Sequence, residues 1–362
     1  MRSDGVKTLL LLAASLILTL LVLEIGLRSY GYEWLHLNRL RTEREMVLRR
    51  SPNQDMRYEL TPGASGRAWG ATVAINSLGY RGYEGVPGRH SGYRIVVLGD
   101  SIAFGIKLPV EATFAHQLHR LLLAEAQDSE VLNLAVPGYD TIQDVALLEF
   151  RGLDYRPDLV VVAYCLNDAG VVSAELQYLE RWSVLYRSRL AQFVAERISR
   201  LRHYNWRRHK NTLEVFRREY EGQIDEIGPD EGELRALMAS VPEPHPSRWY
   251  GHPDRVGRIR YAFRRLGHLA VENGFSVVIV VLPWLTGDSH TYPHRSAHRI
   301  IEMESRRAGF DTIDLTDEFM RAGVENLKIA RRDHVHPNKA GHTIIAQRLL
   351  EYVRTQARTQ AQ

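Results

Sequence analysis

The chain is almost devoid of cysteine, since Cys165 is the only one among its 362 residues. An internal disulfide is therefore excluded, and so is a structural zinc site built from cysteines. A chain without disulfides can function inside the cytosol or outside it, so the cysteine count leaves the compartment open.

The sequence also lacks a strong charge bias and any nucleic-acid-binding signature. The formal net charge is only +4, which suits an anionic membrane surface but is too small to indicate nucleic acid. No zinc-finger, helix-turn-helix or RNA-binding motif, internal repeat or low-complexity segment is present. Hydrophobic residues make up 44% of the chain, as in an ordinary globular enzyme. We therefore expect no nucleic-acid partner.

One long apolar run stands at the N-terminus. Residues 8 to 23, TLLLLAASLILTLLVL, carry no charge, and counting on to Leu27 gives about 20 residues, the length of a membrane-spanning helix. A cleaved signal peptide is the alternative, but no small-x-small cleavage site follows Leu23. We predict that residues 1–29 form an uncleaved signal anchor. Because arginines stand on both sides of the run, the charge rule leaves its orientation open.

The rest of the chain alternates between strand and helix patterns. Apolar, β-branched runs are typical of a parallel sheet that is covered on both faces. The alternation predicts a doubly wound α/β fold, in which ligands bind at the carboxyl ends of the strands. The five predicted strands are RIVVL (94–98), VLNLAV (131–136), DLVVVAY (158–164), FSVVIVVL (275–282) and DTIDL (311–315).

Several segments fall outside this pattern. Residues 30–90 are expected to form a stalk and an extended lead-in to a domain that spans 91–356, with a polar tail at 357–362. Residues 171 to about 255 carry no strand signal, which predicts a helical insertion that covers the domain. The basic and aromatic run at 202–210, RHYNWRRHK, is more simply a solvated helix than a dedicated binding surface.

Reactive side chains follow the predicted strands where the strands end. The first strand runs into Ser101, the second is followed by Gly138, and the third by Asn167. Asp333 and His336 follow the fifth strand, three residues apart. Because the carboxyl ends of parallel strands meet at one edge, these four segments supply the groups that acyl transfer through serine requires.

Each group has a chemical role in such a reaction. A serine hydroxyl is a weak nucleophile unless a base such as imidazole removes its proton. The imidazole of His336 needs a carboxylate to orient it, and Asp333 is close enough on a helical turn. The oxyanion that forms requires donors, for which the candidates are the Ser101 and Gly138 amides and the Asn167 side chain.

The four blocks resemble those of the SGNH, or GDSL, hydrolase superfamily, in the expected order: GDS at 99–101, Gly138, Asn167, and the 333–336 segment DHVH. INSLGYRG, at 75–82, resembles a segment that often precedes the first block in membrane-anchored bacterial members. The resemblance implies a flavodoxin-like five-stranded sheet, with Ser101 as nucleophile, His336 as base and Asp333 as its partner. It implies no metal and no organic cofactor. In one departure, Cys165 stands where the third block commonly has glycine.

The sequence thus favours a membrane-anchored serine esterase that hydrolyses an O-acyl ester, with acetyl expected, through an acyl-serine intermediate. The substrate would be an acylated small molecule or glycan, and the resemblance places the catalytic domain in the periplasm or otherwise outside the cytoplasm. Two alternatives stay open. One is an O-acetyltransferase acting on a cell-envelope or extracellular polysaccharide, and the other is a non-catalytic envelope scaffold with a relic site. The sequence makes no prediction of the oligomeric state.

Overall fold

The computed structural model describes residues 2–32, 47–88, 91–125, 128–170, 188–205, 222–242 and 246–360. At its centre lies a parallel sheet of five strands, β5 (Tyr93–Gly99), β6 (Ser129–Asn133), β7 (Leu159–Cys165), β8 (Ser276–Leu282) and β9 (Asp311–Asp314). Their order across the sheet is β6-β5-β7-β8-β9. The predicted doubly wound α/β fold with a five-stranded parallel sheet is therefore confirmed.

The central strands β5 and β7 pack in the interior because both of their faces are apolar. Every residue of β7 is buried, and β5 pairs with it from Ile95 opposite Leu159 to Gly99 opposite Ala163. Burying one such side chain contributes about 1.5–3 kcal/mol relative to leaving it exposed. The register sets the carboxyl ends of β5 and β7 side by side, which is where two of the reactive blocks begin.

Helices cover both faces of the sheet. Two of them, α3 and the C-terminal α11, pack against each other, and a second group consists of α4, α7 and α8. Helix α11 continues to Gln360, into the segment expected to be a polar tail. The helices of this domain are α2 (Ser101–Phe104), α3 (Phe114–Ala124), α4 (Thr141–Phe150), α7 (Pro253–Asn273), α8 (Arg295–Arg307), α9 (Thr316–Ala322), α10 (Val324–Leu327) and α11 (Lys339–Gln360).

The described part of the lead-in segment, residues 47–88, is folded against the domain. It forms two antiparallel hairpins, β1 (Leu48–Arg50) with β2 (Tyr58–Leu60), and β3 (Ser65–Ala68) with β4 (Ala71–Ala74). Tyr58 is fully buried in the main core. Residues 47–70, expected to belong to a stalk and lead-in, are thus ordered by apolar side chains that reach the core, whereas 33–46 lie outside the described residues.

The helical character of the insertion is seen in its described parts, which contain α5 (Arg189–Asn205) and α6 (Gly232–Ala239) and no strand. Residues 171–187 and 206–221, and the side chains of the basic and aromatic run, lie outside the described residues. After the insertion, α7 begins at Pro253 and packs on α4.

The N-terminal run forms one helix, α1 (Arg2–Ser29), whose segment Gly5–Ser29 has a mean hydropathy of 2.5 and is not buried. Its length and composition are those of a membrane-spanning helix or of a signal sequence. Glu24, near the C-terminal end of this helix, accepts hydrogen bonds from the backbone amides of Arg189 (3.0 Å) and Leu190 (2.8 Å). The carboxylate thus caps the N-terminus of α5 and ties α1 to the insertion.

Candidate active site

The turn after β5 carries Ser101 to the edge of the sheet. Gly99 has a φ of 143°, and a Cβ there would lie 2.9 Å from the carbonyl oxygen of Ala163, so only glycine fits so close to β7. Asp100 then caps α2, accepting a hydrogen bond from the amide of Ile102 at 2.9 Å. The cap starts the helix at Ser101.

Ser101, His336 and Asp333 form a continuous chain of hydrogen bonds. The Ser101 Oγ lies 2.9 Å from Nε2 of His336. On the other side of the ring, Nδ1 lies 2.9 and 3.0 Å from the two carboxylate oxygens of Asp333. Because Nδ1 faces a carboxylate, it carries the proton, and Nε2 is left to accept one from the serine.

The Asp333 carboxylate is fixed by more than the imidazole. Its Oδ1 also accepts hydrogen bonds from the backbone amides of Val335 (3.2 Å) and His336 (3.0 Å). Lys107 forms an ion pair with Oδ2. Burial would raise the pKa of Asp333, but the hydrogen bonds from His336 and Lys107 outweigh it and hold that pKa well below its usual value. The carboxylate therefore stays ionised wherever the imidazole can act as a base.

Asn167 reaches the same site from the short 3₁₀ turn Leu166–Ala169 after β7. Its Nδ2 donates to Oδ2 of Asp100 at 3.1 Å, and the Ser101 hydroxyl lies 3.3 Å from the same oxygen. One carboxylate thus holds the carboxamide beside the hydroxyl. Cys165, at the position of the common glycine, is fully buried, and burial raises the pKa of its thiol well above the usual value, so it packs as a small apolar residue.

Gly138 lies in the loop between β6 and α4, with a φ of 81° that favours glycine. The lead-in segment holds this loop, because the Tyr58 hydroxyl donates to the carbonyl oxygen of Pro137 at 2.9 Å. On its other side, Asp140 caps α4 and forms a buried ion pair with Arg258. The sequence motifs did not reveal this support, since Tyr58 lies in the segment expected to form a stalk and lead-in.

The two neighbouring histidines of the last block lie elsewhere. His334 Nδ1 is 3.3 Å from the carbonyl oxygen of Leu285. His342 is buried, its Nδ1 accepts from the amide of Phe114 at 3.0 Å, and its ring stacks on Phe114. Burial, with Arg81 and His336 nearby, lowers the pKa of His342 to about 3. Among the three, only His336 contacts Ser101.

A cavity of about 570 Å³ lies away from this group, between the β3–β4 hairpin and α3. Its lining includes His116 and His119, which the sequence did not assign to the site, together with Tyr83 and Arg120. None of Ser101, Gly138, Asn167, Asp333 and His336 lines it. Because this cavity does not adjoin Ser101, its volume gives no information about the size of an acyl group that could react there.

Comparison with known proteins gives one family and several distant structures. The model of the GDSL-like lipase/acylhydrolase family matches residues 97–344. An arylesterase of Vibrio mimicus is 33% identical over 75 residues, which are 21% of this chain and 38% of the length of that relative.

Among solved structures, an α/β hydrolase from the metagenome of Lake Arreo has a TM-score of 0.41 at 14% identity, and an acetylxylan esterase of Geobacillus stearothermophilus has 0.39 at 15%. Each alignment covers 72% of this chain and 94% of the other. The family match extends over most of the chain and includes Ser101, Gly138, Asn167, Asp333 and His336. The chain belongs to the GDSL-like lipase/acylhydrolase family.

Proposed function

We propose that the protein is a serine esterase that cleaves an O-acyl ester through an acyl-serine intermediate, with acetyl as the acyl group. The observation that carries the proposal is the hydrogen-bonded chain from Ser101 through His336 to Asp333. In this order of groups the hydroxyl can lose its proton to Nε2 as it attacks, while the carboxylate stabilises the imidazolium that forms.

The reaction follows in two halves. Ser101 Oγ bonds to the ester carbonyl carbon, His336 takes the serine proton, and the tetrahedral oxyanion forms. His336 then gives that proton to the departing alkoxide, so the alcohol leaves and the acyl group stays on the serine. Water attacks this acyl-serine with His336 again as base, and the acid leaves with Ser101 restored.

The oxyanion needs donors that are in place before it forms. We assign this role to the amides of Ser101 and Gly138 and to the carboxamide of Asn167. The support for Asn167 is its contact with Asp100, which keeps its Nδ2 next to the nucleophile. Loss of one such donor typically lowers the rate on the order of a hundredfold or more.

Product analysis separates hydrolysis from transfer. The full chain in detergent micelles is assayed with p-nitrophenyl acetate, butyrate and octanoate and, separately, with acetylated oligosaccharides. Each assay is run with and without an unacetylated oligosaccharide as acceptor. An acetyl esterase releases free acetate at a rate indifferent to the acceptor and prefers the acetate ester. Acceptor-dependent turnover with acetyl found on the sugar would instead identify an O-acetyltransferase. Absence of turnover on every ester would favour a non-catalytic scaffold.

We further propose that α1 is retained as a membrane anchor and that the catalytic domain lies outside the cytoplasm. The support for retention is that Glu24 of α1 caps α5 in the folded protein, a contact that cleavage would remove. An alkaline phosphatase fused to the C-terminus should be active, and an epitope at the N-terminus should stay on the full-length membrane-bound protein. An inactive phosphatase fusion would contradict the proposed topology. Release of the epitope from the membrane-bound protein would contradict the retention of α1.

A further inference from the structure

The ion pair between Lys107 and Asp333 joins two parts of the site that the sequence motifs do not connect. Lys107 lies in the loop that follows α2, and 226 positions separate it from Asp333. The lysine side chain is 38% exposed and that of Asp333 is 11% exposed. The carboxylate of the pair is thus more sheltered from solvent than the ammonium group, and Lys107 contacts the same Oδ2 that lies 3.0 Å from Nδ1 of His336.

The backbone at Lys107 adopts a conformation that lysine disfavours. Its φ is 62°, in the left-handed region where glycine or asparagine would be less strained. The carbon stem of the side chain lies along the β3–β4 turn, close enough that a Cβ on Gly70 would lie 3.6 Å from Cγ of Lys107. A strained residue whose side chain ends on Asp333 suggests a role for that side chain at the site.

A buried arginine fixes the loop that presents Lys107. The guanidinium of Arg81 donates to the carbonyl oxygens of Phe104 and Gly105 (both 2.8 Å) and of Leu108 (2.6 Å). It also lies 4.8 Å from the centroid of the Phe104 ring. Arg81 belongs to the INSLGYRG segment, so this segment helps to set the path of the chain from the nucleophile helix to Lys107.

We infer that Lys107 is a positioning residue, whose ammonium group holds the Asp333 carboxylate in line with His336 and disfavours the protonated form of the imidazole. This inference rests on the proposed function and deepens it. The charge acts on His336 through Asp333: neutralising part of the carboxylate weakens its attraction for a proton on the ring. A base that sheds its proton more readily is neutral, and therefore able to accept the serine proton, at lower pH.

The other groups near His336 are on several elements and do not replace Lys107. Asp100 and Asp333 supply negative charge. His342 is neutral in the working range, and Arg81 is engaged with three carbonyl oxygens behind the loop. His334 is turned toward Leu285. Among the described residues, Lys107 is the cation that pairs with Asp333 besides the imidazole itself.

The inference is tested by the pH profile of kcat/KM for p-nitrophenyl acetate, measured on the full chain in detergent micelles. Lys107→Asn removes the charge and suits the left-handed backbone, whereas Lys107→Arg keeps the charge. Removing a positive charge stabilises the imidazolium, so the acid limb of Lys107→Asn should move to higher pH by about 0.5–1 pH unit. The kcat of Lys107→Asn on the plateau should fall several-fold. Lys107→Arg should keep both the position of the acid limb and the plateau kcat close to those of the wild type.

Lys339→Asn provides a matched control, because Lys339 is an exposed lysine only three residues beyond His336. Its profile should coincide with that of the wild type, since exposed charges are screened by salt. Thermal unfolding of Lys107→Asn and of Lys107→Gly checks that the fold is kept, since either residue adopts this φ with less strain than lysine.

Two outcomes would overturn the inference, and they are distinguishable. In the first, the acid limb of the Lys107→Asn profile coincides with that of the wild type, while Ser101→Ala is inactive. This result would mean that Lys107 does not act on His336, although the proposed function holds. Full activity of Ser101→Ala would remove the proposed function, and the inference with it.

Discussion

The Ser101 hydroxyl and Nε2 of His336 lie 2.9 Å apart, although 235 positions separate the two residues along the chain. The contact exists because β5 ends in a turn that only glycine permits and because the chain before α11 folds back over the same sheet edge. It makes His336, and neither of its neighbouring histidines, the base in the proposed mechanism.

Replacement of each histidine should therefore have a different effect on ester hydrolysis. His336→Ala should lower kcat by about 10⁴-fold or more, similar to Ser101→Ala, because the three groups act as a unit. Asp333→Ala should lower it less, since imidazole keeps some basicity without its partner. His334→Ala should stay within about threefold of wild type, because removing a contact to Leu285 leaves the hydrogen-bonded chain intact. Loss of activity in His334→Ala with an active His336→Ala would contradict the assignment.

Asn167→Ala should lower kcat for p-nitrophenyl acetate by about 10²-fold with little change in KM. The reason is that an oxyanion donor contributes mainly in the transition state, where the charge develops. Asn273→Ala, at the exposed end of α7, is a matched control and should leave both constants unchanged. A variant that raises KM and keeps kcat would mean that Asn167 binds the ground-state substrate instead.

A buried carboxyl beneath the nucleophile turn makes stability depend on pH. Asp144 in α4 is buried, and no side-chain donor among the described residues satisfies its carboxyl oxygens. Burial, followed by the charges of Asp100 and Asp140, raises its pKa well above the usual value. The folded state therefore holds a proton that the unfolded chain releases, and stability falls as pH rises from the ordinary carboxyl pKa toward the raised one.

Asp144→Asn should relieve this effect, because the amide mimics the protonated acid. Differential scanning calorimetry of the full chain should show a melting temperature close to wild type at pH 5. At pH 9 the melting temperature should exceed that of the wild type by at least about 2 °C. Asp154→Asn, at an exposed carboxyl, should show no such divergence. If Asp144→Asn melts at a lower temperature than the wild type at both pH 5 and pH 9, the carboxyl is not protonated in the folded protein.

The sequence predicted the fold and the reactive groups because both leave local signals. Five apolar runs of strand length specify the parallel sheet, and residues that follow such strands must share its edge, so Ser101 and His336 could be brought together from the sequence. Strand ends were less accurate: β6 stops at Asn133, before the predicted 136, although Val136 still donates to the carbonyl oxygen of Gly99.

The supporting residues could not be predicted in the same way. Lys107 and Tyr58 have no periodicity or motif of their own, and their roles depend on long-range contacts with Asp333 and Pro137. Arg81 carried a partial signal, since it lies in INSLGYRG, but the segment alone does not reveal that its guanidinium binds the loop after α2. Such roles follow from tertiary structure, where distant segments meet.

The most direct test of the account is covalent labelling by a fluorophosphonate probe. A serine oxygen activated by a base attacks the phosphorus of the probe and displaces fluoride, so labelling reports the Ser101–His336 contact without assuming a substrate. The full chain in detergent micelles should be labelled at Ser101, as located by mass spectrometry of the labelled peptide. Labelling should be lost in Ser101→Ala and strongly slowed in His336→Ala. Equal labelling of wild type and Ser101→Ala, or no labelling of the wild type, would contradict the proposed role of Ser101.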